Sequence, residues 1–218
     1  CWMGDRKVTA LNGKDGKTLW QFETAGNDKT MGMYHGVALG SGEKPHLYVA
    51  TTEGDLYALD LAGKQVWNKH YDDYLFAPIT VTQVGDNQCL VLGGRNTLYL
   101  LKAADGAEVW KQKLAGALDR GIAVCDADGD GDDDFLFNDH RAVVARDAAN
   151  GAETFRHECG FGKGSWEELS SAPLVADLNG DGLLEAFAVC GMGTSEKDGK
   201  ENYGRAYAIR LKGKSKAW

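Results

Sequence analysis

The sequence has no uninterrupted apolar stretch near the roughly 18 residues that cross a bilayer as a helix, which excludes a membrane-spanning helix. No segment of useful length repeats its apolar residues at helical spacing, so helical folds drop out. Basic residues are outnumbered, 24 against 32 acidic, and the formal charge of −8 disfavours a nucleic acid partner, whose phosphates call for clustered Lys and Arg. The cysteines, Cys1, Cys89, Cys125, Cys159 and Cys190, include no adjacent pair and no CxxC or CxxCH spacing, which removes zinc, haem and thioredoxin-like chemistry. Proline is scarce, at 3 residues, and no signal-peptide pattern opens the sequence, as in a mature chain that has lost one.

Glycine is abundant instead. It supplies 29 of 218 residues, about twice the usual share of roughly 7%, with neither a collagen period nor a low-complexity tract, and so implies many tight turns. With 43% apolar and 26% charged residues the chain is globular and long enough to bury a core. An all-β fold is expected.

One phrase recurs along the chain: apolar-x-Ala-Leu, a turn containing Gly, then an aromatic residue. Val8-Thr9-Ala10-Leu11 leads to Gly16 and Trp20, and Leu56-Tyr57-Ala58-Leu59 to Gly63 and Trp67. Leu98-Tyr99-Leu100-Leu101 precedes Gly106 and Trp110; Val143-Val144-Ala145 precedes Gly151 and Phe155; Ala206-Tyr207-Ala208-Ile209 precedes Gly213 and Trp218. The aromatic landmarks at 20, 67, 110, 155 and 218 lie 47, 43, 45 and 63 residues apart. Short alternating strands within each period, broken by Gly, Asn or Asp, describe four-stranded antiparallel blades, which must stack on their neighbours to bury both faces. The period therefore predicts a β-propeller, with a partial blade at 1–24 and blades at 33–70, 76–114, 119–158 and 172–218. About four and a half blades are present, the first of them incomplete, so a fragment of a ring of about six to eight blades is expected, its open edge covered by another chain or segment.

The phrases Ala58-Leu59-Asp60 to Gly63-Lys64-Gln65-Val66-Trp67 and Ala10-Leu11-Asn12 to Gly16-Lys17-Thr18-Leu19-Trp20 resemble the tryptophan-docking repeat of quinoprotein (PQQ-like) propellers. That resemblance covers nearly the whole chain and implies that Trp20, Trp67 and Trp110 pack between blades.

Chemistry concentrates in two loops. Asp126-Ala-Asp128-Gly-Asp130-Gly-Asp132-Asp133-Asp134 and Asp177-Leu-Asn179-Gly-Asp181-Gly-Leu183-Leu184-Glu185 share the pattern D-x-[DN]-G-D-G-x-x-[DE]. Hard oxygen donors at alternate positions suit Ca²⁺, and the sixth-position glycine permits the turn that lets the seventh-position carbonyl join them. Expected ligands are Asp126, Asp128, Asp130 and Asp134 with the Asp132 carbonyl, and Asp177, Asn179, Asp181 and Glu185 with the Leu183 carbonyl. An EF-hand is excluded because Phe137 and Ala188 stand at the twelfth position and strand-like residues flank both loops. The loops resemble the FG-GAP repeats of integrin-α-like propellers, which implies peripheral, structural calcium. In the blade at 76–114 the same register reads Thr82-Gln83-Val84-Gly85-Asp86 and lacks the first donors, so no metal is expected there.

PQQ itself is not expected: the adjacent-cysteine disulfide of the quinoprotein enzymes has no counterpart, and His35, His46, His70, His140 and His157 stand alone, without a nucleophile motif. A candidate ligand face comes from two repeat-related loops, Tyr71-Asp72-Asp73 before Ala77-Pro78 and Trp166-Glu167-Glu168 before Ala172-Pro173. An aromatic platform beside paired carboxylates suits a sugar ring or a cationic peptide. These loops should open on the face opposite the calcium loops, together with the insertion from Gly193 to Gly204. The function expected is a calcium-stabilised, extracytoplasmic, non-enzymatic scaffold for a protein or carbohydrate ligand. The alternative is part of an enzyme, a quinoprotein dehydrogenase or FG-GAP polysaccharide lyase, with its catalytic residues elsewhere. Placement outside the cytoplasm follows from calcium and from the resemblance.

Overall fold

Short apolar runs closed by Gly, Asn and Asp turns fold into hairpins throughout. The computed structural model describes residues 6–26, 32–33, 35–118, 120–159, 168–169, 171–191 and 205–214, and every regular element among them is a strand. The chain divides into two units, Cys1–Lys113 and Leu114–Trp218.

In the first unit β1 (Lys7–Leu11) and β2 (Thr18–Glu23) form a hairpin. A four-stranded antiparallel blade follows, β3 (Ala38–Leu39), β4 (Leu47–Ala50), β5 (Asp55–Leu59) and β6 (Gln65–His70), paired in chain order. The next blade repeats the arrangement with β7 (Thr80–Val84), β8 (Asn87–Gly93), β9 (Thr97–Lys102) and β10 (Glu108–Lys113). Central strands are covered on both faces, so they read as continuous apolar runs: Leu90, Val91 and Leu92 on β8 and Leu98, Leu100 and Leu101 on β9 are all fully buried. The fourth strand of each blade is mostly exposed, with its tryptophan, Trp67 or Trp110, turned inward.

The recurring tryptophan has a visible role in this unit. Trp20 donates its indole N–H to the Leu61 carbonyl at 2.9 Å and lies against Gly63, where a Cβ would come within 2.5 Å of the ring. Trp67 lies the same way against Gly106 and also meets Tyr48, with ring centres 6.0 Å apart. Gly63 and Gly106 have φ of +80° and +69°, so glycine is required twice over, by backbone conformation and by the indole of the preceding blade.

The second unit holds a blade of β11 (Ala123–Cys125), β12 (Asp134–Asp139), β13 (Ala142–Asp147) and β14 (Glu153–Glu158), again in chain order. Phe155 packs on its core as the tryptophans do elsewhere. The last sheet departs from the repeat. Its long strand β17 (Leu183–Gly191) pairs with β15 (Glu168–Leu169) and β16 (Leu174–Ala176) in succession along one edge and with β18 (Arg205–Lys214) along the other. The repeat predicts a turn at Gly213, but β18 continues through it, with a break in the pairing register opposite Leu183 to Glu185. Gly213 instead lets the strand press onto the loop after β11: a Cβ there would overlap the Asp126 carbonyl, and the Lys212 amide donates to the Ala127 carbonyl at 3.1 Å.

Candidate functional site

The two acidic loops occupy equivalent places, joining the first two full strands of a blade. In the first, 126–134, the residues after β11 turn back through Gly129 and Gly131, whose φ values are +89° and +98°. Asp126 is buried and accepts the amides of Gly129 (2.7 Å) and Gly131 (3.2 Å). Asp128 accepts the Asp130 amide at 3.1 Å, and Asp130 accepts the Asp132 amide at 2.9 Å. These bonds bring Asp126, Asp128 and Asp130 together, with one carboxylate oxygen from each within 4.8 Å of the others. Three like charges that close repel unless a cation joins them, and hard oxygen donors suit a divalent one. Asp134, 3% exposed, accepts the Ala127 amide at 2.7 Å and the Thr154 hydroxyl at 2.8 Å. Burial pushes its carboxyl above the usual range, the two hydrogen bonds oppose that, and the charges of Asp128 and Asp130 add to it.

The second loop, 177–185, repeats the backbone pattern. Asp177 accepts the amides of Gly180 (2.7 Å), Asp181 (3.1 Å) and Gly182 (2.8 Å), and Asn179 accepts the Asp181 amide at 2.9 Å. Glu185, buried at 6% exposure, takes the place of Asp134 and accepts the Leu178 amide at 2.9 Å and the Asn179 side-chain amide at 3.2 Å. The Leu183 amide and then Arg210 hold Asp181 below the usual carboxylate range. Arg210 reaches Asp181 Oδ2 at 2.5 Å and Glu185 Oε1 at 3.3 Å from β18. The third acidic register, in the blade at 80–113, is a tight turn at Gly85 and Asp86 between β7 and β8.

At the other end of the first unit's blades lies a cavity of about 550 Å³ lined by Tyr71, Asp72 and Asp73 together with Glu53, His70, Tyr74, Arg95 and Asn96. Its walls come from the loop joining two blades and from the β4–β5 and β8–β9 hairpins. Tyr71 is half-buried: its hydroxyl donates to the Gly106 carbonyl at 2.8 Å, its ring meets Tyr99, and burial pushes its phenol well up. One oxygen of Asp73 accepts the amides of Tyr74 (2.8 Å) and Arg95 (3.0 Å), which pins the loop to the β8–β9 hairpin. Asp72 is fully exposed and lies 3.8 Å from His70, which bonds Asp55 at 2.8 Å. Tyr74 is 50% exposed, stacks on Phe76 at 5.8 Å, and has the Arg95 guanidinium 5.8 Å from its ring centre. Of the sequence-predicted triad, Tyr71 and Asp73 hold the loop, and Asp72 faces solvent. Tyr74, His70 and Arg95 were missed by sequence reasoning. Tyr74 directly follows the predicted motif, whereas Arg95 reaches the cavity only through the strand pairing. Trp166 and Glu167, like the Glu168 side chain and the insertion from Gly193 to Gly204, lie outside the described residues.

Cys89, Cys125 and Cys159 are buried thiols, and burial pushes the Cys89 thiol up. No helix among the described residues is long and apolar enough to cross a membrane.

Comparisons with known proteins place this architecture. A family profile described as outer membrane protein assembly factor BamB matches residues 4–218. The crystal structure of BamB from Moraxella catarrhalis superposes with a TM-score of 0.60 at 19% identity, covering 86% of this chain and 56% of that one, and shares the fold. A tetrathionate hydrolase from Acidithiobacillus ferrooxidans is 30% identical over 116 residues, which is 53% of this chain and 21% of that protein. The chain thus spans about a fifth of that curated relative and just over half of the solved one.

Proposed function

This chain belongs to the PQQ-like family described as outer membrane protein assembly factor BamB, and on that footing we propose that it is an extracytoplasmic, non-enzymatic binding scaffold stabilised by calcium. The cavity at Tyr74 carries the reading. It joins an exposed aromatic face, a guanidinium and the exposed Asp72 carboxylate, which is the composition of a contact site for a protein or carbohydrate. The family description, an assembly factor, favours a protein ligand and a place outside the cytoplasm. A further chain or segment completing the propeller belongs to the same proposal.

Calcium is proposed at the two acidic loops, with Asp126, Asp128 and Asp130 as the converging donors of the first. Asp134 and the Asp132 carbonyl would complete that set, and Asp177, Asn179, Asp181, Glu185 and the Leu183 carbonyl would form the second. The FG-GAP resemblance rests on these loops.

The test is capture of ligand on the immobilised chain, from a bacterial envelope extract and from a glycan array, beside a Tyr74→Ala variant. Retention lost in the variant supports the cavity, and retention equal in both overturns it. Melting curves that superimpose with calcium and with EDTA would remove the metal. A second reading, part of an enzyme, is favoured by the tetrathionate hydrolase match alone. Loss of tetrathionate on incubation with the chain would establish it.

A further inference from the structure

We infer that Arg210 is a built-in counter-cation of the second acidic loop and sets the two loops apart in calcium affinity. The inference rests on the proposed calcium reading and concerns which loop the ion fills. It starts from strand register. In the first loop the last donor, Asp134, sits on β12 opposite Asp147 of β13. In the second the last donor, Glu185, sits on β17 opposite Arg210 of β18. The same position across the ladder therefore carries a negative charge beside one loop and a positive charge beside the other.

Arg210 uses its position. One guanidinium nitrogen lies 2.5 Å from Asp181 Oδ2 and 3.3 Å from Glu185 Oε1, so two of the four side-chain donors a metal would need already share a cation. The fourth is a neutral amide, Asn179, where the first loop has Asp128. The first loop thus offers four carboxylate donors, with Asp147 opposite the last of them across the ladder. The second offers three carboxylates, one of them buried, with an arginine between two of them. Calcium affinity follows the charge count of the ligand set, and a bound ion must lie near the guanidinium or expel it. The second loop can hold its shape on internal charge, whereas the three converging carboxylates of the first are met by backbone amides.

Calcium titration of the full chain by calorimetry, with terbium luminescence in parallel, tests this on wild type, Arg210→Gln and Arg210→Lys. The expected result is two-step binding in wild type, the first step at least tenfold tighter than the second. Arg210→Gln should bring the second step to within a few-fold of the first and leave the first unchanged. Arg210→Lys keeps the charge and should resemble wild type, which separates charge from packing, and far-ultraviolet circular dichroism checks that each variant folds. Two equal sites in wild type, or a second site indifferent to Arg210→Gln, overturn the inference and leave the calcium reading standing. Absence of binding in all three proteins overturns both.

Discussion

The loops 126–134 and 177–185 are nearly the same sentence in sequence and different objects in space. Both wrap a leading aspartate with glycine amides, and in both the final acid accepts the amide that follows the first. The motif therefore specifies the turn. What surrounds the turn is set by other strands. β18 presses Gly213 and Lys212 onto the first loop, and it lays Arg210 across the second. A donor pattern fixes how a chain curls, and the charge that the curl must accommodate is fixed by residues distant in sequence.

The largest way to break the comparison is at the clamp. Gly213→Val places a side chain on the Asp126 carbonyl, so the strand and first loop must part, at a cost of roughly 3 kcal/mol in urea unfolding. In the second loop Gly180 has open space and a φ of +77°, so Gly180→Ala should cost only about 1 kcal/mol, from backbone strain. Equal costs would mean that the first loop is no more tightly held than the second. Calcium should sharpen the contrast next. A site filled at a hundredfold excess over Kd adds about 2.7 kcal/mol, and Asp130→Ala should remove that increment while leaving the melting temperature in EDTA close to wild type. Asp181→Ala, whose partner is already Arg210, should remove much less. A third test moves the charge: Asp147→Arg gives the first loop the neighbour of the second, and about tenfold weaker calcium binding, near 1.4 kcal/mol, is expected in a titration.

The fold was legible because its units repeat. Trp20 and Trp67 recur at blade spacing with a turn glycine, and the indole lies against the glycine of the next blade, so one packing solution is written more than once. The acidic loops were legible as turns because their donors and glycines are local. Arg210 was not, because it meets Glu185 only through strand register, 25 positions further along the chain and beyond the long β17–β18 connection. Gly213 was misread as a turn for a related reason. Four other copies use glycine for its positive φ, whereas here it serves close approach, which no local pattern encodes. In the cavity, Tyr71, Asp72 and Asp73 came from a repeated motif, and Arg95 joined them through the neighbouring hairpin.

The smallest expected effect on calcium binding is at the back of the first loop. Thr154 on β14 donates its hydroxyl to Asp134 Oδ1 at 2.8 Å, and Asp134 is almost fully buried, so Thr154→Val removes one of its two named donors without changing the volume much. A hydrogen bond to a buried, charged acceptor is worth about 1.5 to 3 kcal/mol, and urea unfolding should show a loss of that size. The hydroxyl is neutral, so it cannot alter the charge count that separates the two loops. The loss should therefore be the same with calcium and with EDTA, and calcium affinity should change by no more than a few-fold. A tenfold loss of affinity would instead make Thr154 a positioning residue, holding Asp134 for the ion. The difference between the loops would then lie in geometry as much as in the charges of Asp147 and Arg210.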